Sequence, residues 1–242
     1  MRELVTIRFI GLRMSRDWLT MLLLLVIPIV LVTVFSIVLG DAPGSDTLLR
    51  NETVVLLVLA FQLFGGAVTM NYVHGDLFSE YKYRLRSLPM NTTLYAFTIM
   101  LAGILYSIVL GAILIGYTTF IWDVNWGNFA WSMLVITLMS ALSSILCLVF
   151  TFSVRNFKIA ERISEIYGVG LILLAGMFFP MPDNSLIHGF NEYVNPITLA
   201  YSSIDNMRSG LTTEAIVDSG LLFGIIVLVS IALFLIGRRR MP

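Results

Sequence analysis

Two histidines, one cysteine and fifteen carboxylates are the side chains with which this chain could do metal or covalent chemistry, and their positions rule most of it out. His74 and His188 are divided by three long apolar runs, which predicts that they fall on opposite faces of a membrane. They therefore share neither a metal nor a catalytic dyad, and each reads as a loop residue. There is no H-E-x-x-H, no G-x-S-x-G and no pair of acids at helical spacing within an apolar run, which leaves no zinc-hydrolase or acyl-transfer centre. The lysines are Lys82 and Lys158, preceded by Tyr81 and Phe157. No Gly-Lys-Ser/Thr phosphate loop exists, so ATP hydrolysis is not expected of this chain. Cys147, inside an apolar run, reads as a small packed side chain and excludes an intrachain disulfide. No catalytic residue and no metal site are predicted.

What the polar segments can do is dock. The stretch His74–Thr93, HGDLFSEYKYRLRSLPMNTT, sets Leu77, Phe78, Tyr81, Leu85 and Leu88 at helical spacing, with Asp76, Glu80, Arg84 and Arg86 around them. Pro89 stops such a helix, and Asn91 or Thr92 can cap the next. An apolar ridge with a mixed-charge flank fits a groove on another protein; the plainer alternative is a helix lying on lipid. At Met1–Trp18, Leu4, Ile7, Gly11, Met14 and Trp18 form one stripe, opposite Arg2, Glu3, Arg13, Arg16 and Asp17. This predicts an interfacial helix, with arginines toward anionic headgroups and Phe9 on the polar side, where a partner would explain it. Over 183–214 two short helices are predicted. Asp183, Asn184 or Ser185 caps the first, with Leu186, Ile187, Phe190, Tyr193 and Val194 on one stripe. Asn195 caps the second and Pro196 starts it; Ile197, Ala200, Tyr201 and Ile204 follow, and Gly210 closes it. The pair reads as a re-entrant hairpin or a lid on the outer leaflet.

These segments hang between six apolar runs: Leu19–Leu39, Thr53–Val73, Leu94–Tyr117, Trp131–Val154, Ile166–Pro182 and Ala215–Gly237. Each is near the roughly 20 residues that carry a helix across a bilayer. The first follows a basic stretch but is too long for a signal-peptide core and lacks a small-x-small cleavage site, so it reads as a span. Thirteen of the fifteen Lys and Arg residues lie at 2–16, 82–86, 155–162 and 238–240, which six crossings place on one side, the cytoplasm. Arg50 and Arg208 are left outside with nine of the fifteen acids. The composition agrees: 58% of residues are hydrophobic and the mean hydropathy is +0.91, far from a water-soluble domain. A net charge of zero gives no reason to expect nucleic acid. The two halves share no repeat, and the spans hold essentially no ionisable residues, with Glu52 and Glu165 at their rims. Inverted-repeat transport and intramembrane ion relays are therefore disfavoured, and any energy must come from elsewhere. Gly65-Gly66 and the Gly103/Gly111 pair read as sites of close helix packing. The predicted fold class is an all-α membrane protein with six transmembrane helices, forming one domain over 1–242.

Two stretches carry a resemblance. His74-Gly75-Asp76 through Arg86-Ser87-Leu88-Pro89-Met90-Asn91 is similar to the acidic-then-Leu-Pro loop of the ABC transporter type 2 permease family. Gly176-Met177-Phe178-Phe179-Pro180, followed by Asn195-Pro196-Ile197-Thr198, resembles its Gly-x-x-x-Pro and Asn-Pro pairing. A departure is the weak acidic start, where Gly75 precedes Asp76 and Glu80 in place of Glu-Arg-x-x-Gly-Thr. The resemblance runs over nearly the whole chain and implies the membrane subunit of an ABC exporter, with 1–18 a connecting helix and 74–93 a coupling loop. The residues it implies for docking on the ATPase are Asp76, Leu77, Phe78, Glu80, Tyr81, Arg84, Leu85, Arg86 and Leu88. It implies two copies of a separate ATPase subunit, which bind the ATP and Mg, and a second permease subunit, the same or different. No cofactor is expected on this chain. Phe61, Gln62, Phe64 and Asn71 on the second span, with Phe178 and Phe179 on the fifth, are the expected substrate path; the plainer reading packs the phenylalanines between helices or against lipid. Aromatics with a few amides suit an amphipathic or lipid-like cargo such as a drug, an antimicrobial peptide or a lipid-linked molecule. The expected place is a bacterial plasma membrane, with both termini cytoplasmic. The alternative is a non-transporting assembly or sensory subunit that recruits a cytoplasmic partner.

Overall fold

A computed structural model describes residues 2–40, 47–79, 83, 92–176 and 184–240, and every regular element among them is helical. Five helical stretches are long and apolar enough to cross a membrane: Leu22–Leu39, Leu49–Leu77, Thr92–Trp122, Phe129–Ser153 and Thr212–Arg239. In chain order, α1 (Arg2–Arg16) leads after Asp17 into α2 (Trp18–Gly40). Next, α3 (Thr47–Phe64) and α4 (Gly66–Leu77) make one broken crossing. They are followed by α5 (Thr92–Trp122), α6 (Phe129–Ser153) and α7 (Phe157–Leu174). The short α8 (Ser185–Tyr193) and α9 (Pro196–Arg208) precede α10 (Thr212–Arg240).

The α3–α4 crossing is the centre of the bundle, 72% buried, whereas the α2 and α10 spans are 17% buried and stand at the edge. α6 is the hub, touching α3, α4, α5, α7, α9 and α10. Small residues let these helices close up. A Cβ on Gly111 would lie 2.6 Å from Ile136 on α6, and one on Gly103 would collide with Thr69 on α4. Cys147 is buried, as its place in an apolar run predicted.

The break at Gly65 is repaired by a side chain. Gly65 keeps right-handed helical angles (φ −58°, ψ −30°), but its N–H reaches back only three residues, to Gln62 O at 3.2 Å. The Gly66 N–H donates instead to Ser143 Oγ on α6 at 2.9 Å, and Ser143 Oγ donates to Leu63 O. In a bilayer a freed backbone group has no water to turn to, so such a break needs a neighbouring hydroxyl.

Several boundaries differ from the sequence expectation. α5 has 31 residues, about 46 Å, so it overruns the expected Leu94–Tyr117 at both ends. The inner loop expected at Arg155–Glu165 is mostly helix, because Asn156 accepts from Lys158 N–H at 3.1 Å and starts α7 at Phe157. Lys158, Arg162 and Glu165 then form its exposed polar side, while Ala160, Gly168 and Leu171 are buried. The expected run on to Pro182 is not among the five apolar crossings; residues 177–183, with Pro180, Pro182 and Asp183, lie outside the described residues. On α1, Ile10 and Met14 are buried and Phe9 is 66% exposed; the side chains of Arg2, Glu3 and Leu4, and of Trp18 at the start of α2, lie outside the described residues.

The paired short helices appear where predicted. Asn184 accepts from Leu186 N–H at 3.0 Å and Asn195 from Ile197 N–H at 3.1 Å; Gly210 takes φ +83°. Only α9 buries its stripe: Ile197, Ala200 and Ile204 are buried, whereas Leu186 and Tyr193 on α8 are exposed.

Candidate functional site

The end of α4, where the chain enters the segment predicted to dock, is tied to four other helices. Asp76 is 4% exposed. Its two carboxylate oxygens accept from Arg13 Nη1 on α1 at 3.0 and 2.9 Å, and Oδ2 also accepts from the Tyr95 hydroxyl on α5 at 2.9 Å. The Arg13 guanidinium lies 5.1 Å over the ring of Tyr72, one turn before Asp76 on α4, and the Tyr72 hydroxyl donates to Arg13 O at 3.4 Å. Burial opposes the charge on Arg13, but the hydrogen bond to Asp76 and its negative charge outweigh this and raise its pKa above the ordinary value.

Aromatic rings hold the other side of the same helix end. His74 stacks on Phe157 at the start of α7, with ring centroids 3.9 Å apart, and on Phe78 at 6.1 Å. Phe78 in turn meets Phe152 near the end of α6 at 5.7 Å. The end of α4 is therefore held by α1, α5, α6 and α7 together.

The predicted docking residues divide into two sets. Asp76 and Leu77 are buried in α4 and Phe78 is half-buried, so these three belong to the anchor of the segment. The α4 helix extends past the expected end of its span at Val73, which brings an acid into a helix read as free of ionisable groups. Glu80, Tyr81, Arg84, Leu85, Arg86 and Leu88 lie outside the described residues. Within the segment Tyr83 is described, and it is 68% exposed. Sequence reasoning missed Tyr95 and Tyr72 and read Arg13 as facing headgroups. Its available signal was an arginine and two tyrosines near the ends of apolar helices, the positions from which a polar tip reaches a buried carboxylate.

The expected path residues are equally scattered. Gln62 is buried in the packing, where its Oε1 accepts from the hydroxyls of Ser107 and Ser140 at 2.9 and 3.0 Å. Phe61 and Phe64 are half-buried with ring centroids 6.4 Å apart, and Phe64 presses on Gly168 of α7. Asn71 is exposed, and Phe178 and Phe179 lie outside the described residues. Among the described residues no group of His, Cys, Asp and Glu could hold a metal.

Beyond the predicted sites, the α8–α9 corner holds the end of α7. Asn195, fully buried, donates to Leu171 O at 3.1 Å, and Asn191 donates to Leu174 O, satisfying carbonyls that a helix end otherwise leaves open.

The family model described as ABC-2 type transporter matches residues 4–207, from α1 almost to the end of α9. No curated protein sequence matches the chain.

Proposed function

The chain belongs to the ABC-2 type transporter family and is thereby the multi-pass membrane permease subunit of an ABC transporter, a transport subunit and not a catalytic one; from this premise we propose that it exports an amphipathic or lipid-like molecule by alternating access. ATP and Mg are bound by a separate ATPase, two copies of which dock on the segment 80–91 of two permease subunits, the same or different. The membrane is a bacterial plasma membrane with both termini on the cytoplasmic side, and residues 1–242 act as one permease domain.

The observation that carries this proposal is the anchored end of α4. An exporter subunit must convert motion of a cytoplasmic partner into motion of spans, and the partner can do work only if it binds two permease states with different affinity. The Arg13–Asp76–Tyr95 tie and the His74–Phe157 stack join the base of the docking segment to α1, α5 and α7. The cargo path runs between two facing permease subunits, along their second and fifth spans. Asp76, Leu77 and Phe78 transmit; Glu80, Tyr81, Arg84, Leu85, Arg86 and Leu88 supply the docking face.

The same geometry supports six crossings. α7 starts beside the end of α6, at Phe157, and the carbonyls of its last turn meet Asn191 and Asn195. The helix α9 that follows reaches the opposite end of α6, where Trp131 Nε1 donates to Ser203 Oγ at 3.0 Å. The first nine residues of α7 hold Lys158, Glu161, Arg162 and Glu165, so its apolar part starts at Ile166, where the expected fifth span begins. The α8–α9 pair is then the re-entrant hairpin at the outer face.

The test is purification from detergent of the intact chain and of Leu85→Asp combined with Leu88→Asp, followed by mass spectrometry and ATPase assay. Recovery of an ATP-binding subunit with ATP turnover by the intact chain, and its loss in the variant, is expected. If no ATPase accompanies the intact chain, an assembly or sensory subunit takes the place of the exporter.

A further inference from the structure

A groove of about 540 Å³ opens between the first turns of α5, the last turns of α6 and the last turns of α10. That volume is within the range of small-molecule sites. Its walls are apolar, with Met100, Ile145 and Phe152 among them, and Ser230 lies at its deep end on α10. Arg238 stands at its mouth and is exposed. A second hollow of about 440 Å³ shares Phe152 and carries Arg239. Neither arginine makes an ion pair among the described residues.

Depth and charge identify an occupant. From Arg238 to Ser230 the α10 wall descends eight residues, about 12 Å, and the α5 wall from Thr93 to Met100 descends about 10 Å. One leaflet of hydrocarbon is about 15 Å deep. The groove therefore runs from a basic rim through most of a single leaflet, beside α10, a helix at the edge of the bundle. An acyl chain fits the walls, and a phosphate fits the rim. We infer that this is a binding site for an anionic glycerophospholipid of the leaflet bordering the basic ends of the helices, one acyl chain between α5, α6 and α10 and its phosphate on Arg238 and Arg239. The inference does not depend on the exporter reading, and its test involves neither an ATPase nor a cargo.

The intact chain is placed in nanodiscs of phosphatidylcholine containing a minor fraction of phosphatidylglycerol with the same acyl chains. Lipids retained after gentle extraction are counted by native mass spectrometry. Phosphatidylglycerol should be retained above its share in the disc. Each of Arg238→Gln and Arg239→Gln should lower that preference about fivefold, the effect of one basic side chain at an anionic surface. Arg162→Gln, which removes the same charge from the exposed side of α7, should leave it unchanged. Ser230→Phe, which fills the deep end, should reduce retention of both lipids at the site. Equal retention of the two lipids by the intact chain, a preference that survives both arginine changes, an equal fall with Arg162→Gln, or unchanged retention in Ser230→Phe would each overturn the inference.

Discussion

A carboxylate that is almost wholly buried and an arginine that is half exposed make an unequal pair, and the inequality predicts how each responds to loss of the other. The Asp76 side chain is 6% exposed and the Arg13 side chain 54%. Arg13→Gln leaves a buried charge with Tyr95 as its remaining donor, and the penalty for stranding such a group is about 1–3 kcal/mol or more. Asp76→Asn leaves Arg13 able to turn to water, so its loss should be smaller. The double variant should recover most of what Arg13→Gln loses, because the stranded charge has gone. Thermal unfolding in one detergent measures all three; additive losses would show that the two residues do not act as a pair. Little of this was legible in the sequence. Asp76 sits among Glu80, Arg84 and Arg86, and helical spacing alone made it one more charge around an exposed ridge. The partner that turns it inward comes from 63 residues away, a distance that no local pattern reports.

At the scale of the helix, apolar runs and caps were legible because each is a local property. Asn184, Asn195 and Pro196 stand where the start of α8 and α9 requires them, since a side-chain oxygen and a missing N–H act within one turn. The break between α3 and α4 was legible only as a pair of glycines suited to close packing. What makes it a break is Ser143, on a different helix, taking over the Gly66 N–H and Leu63 O. Ser143→Ala removes both bonds at a site buried from water and should lower stability by about 1–3 kcal/mol. Hydrogen exchange followed by mass spectrometry should find faster exchange confined to the peptides around residues 63–68. Unchanged protection there would mean that the backbone is satisfied in another way. The same reasoning explains why the start of α7 was misplaced. Lys158, Arg162 and Glu165 gave its first turns the composition of a loop, while Ala160 and Gly168 bury the other side of the same helix against the bundle.

For the whole molecule the decisive property is parity, because five stretches are long and apolar enough to cross whereas the charge pattern asks for six. The two counts predict opposite locations for everything after α7. If α7 crosses, Lys158 and His188 lie on opposite sides and Arg239 returns to the side of Lys158; if it does not, His188 lies with Lys158 and Arg239 lies across the membrane. The groove already sets the end of α10 beside the end of α6, and Trp131 sets α9 at the other end, which agrees with a crossing. The chain is well suited to a direct test, since its one cysteine, Cys147, is buried and gives a quiet background. Single cysteines at Lys158, His188 and Arg239 can be labelled in sealed right-side-out cells with a membrane-impermeant maleimide, then again after permeabilisation. The expected result is labelling of position 188 in intact cells and of 158 and 239 only after permeabilisation. Protection of 188 together with labelling of 239 in intact cells would remove the sixth crossing and, with it, the placement of the α8–α9 hairpin at the outer face.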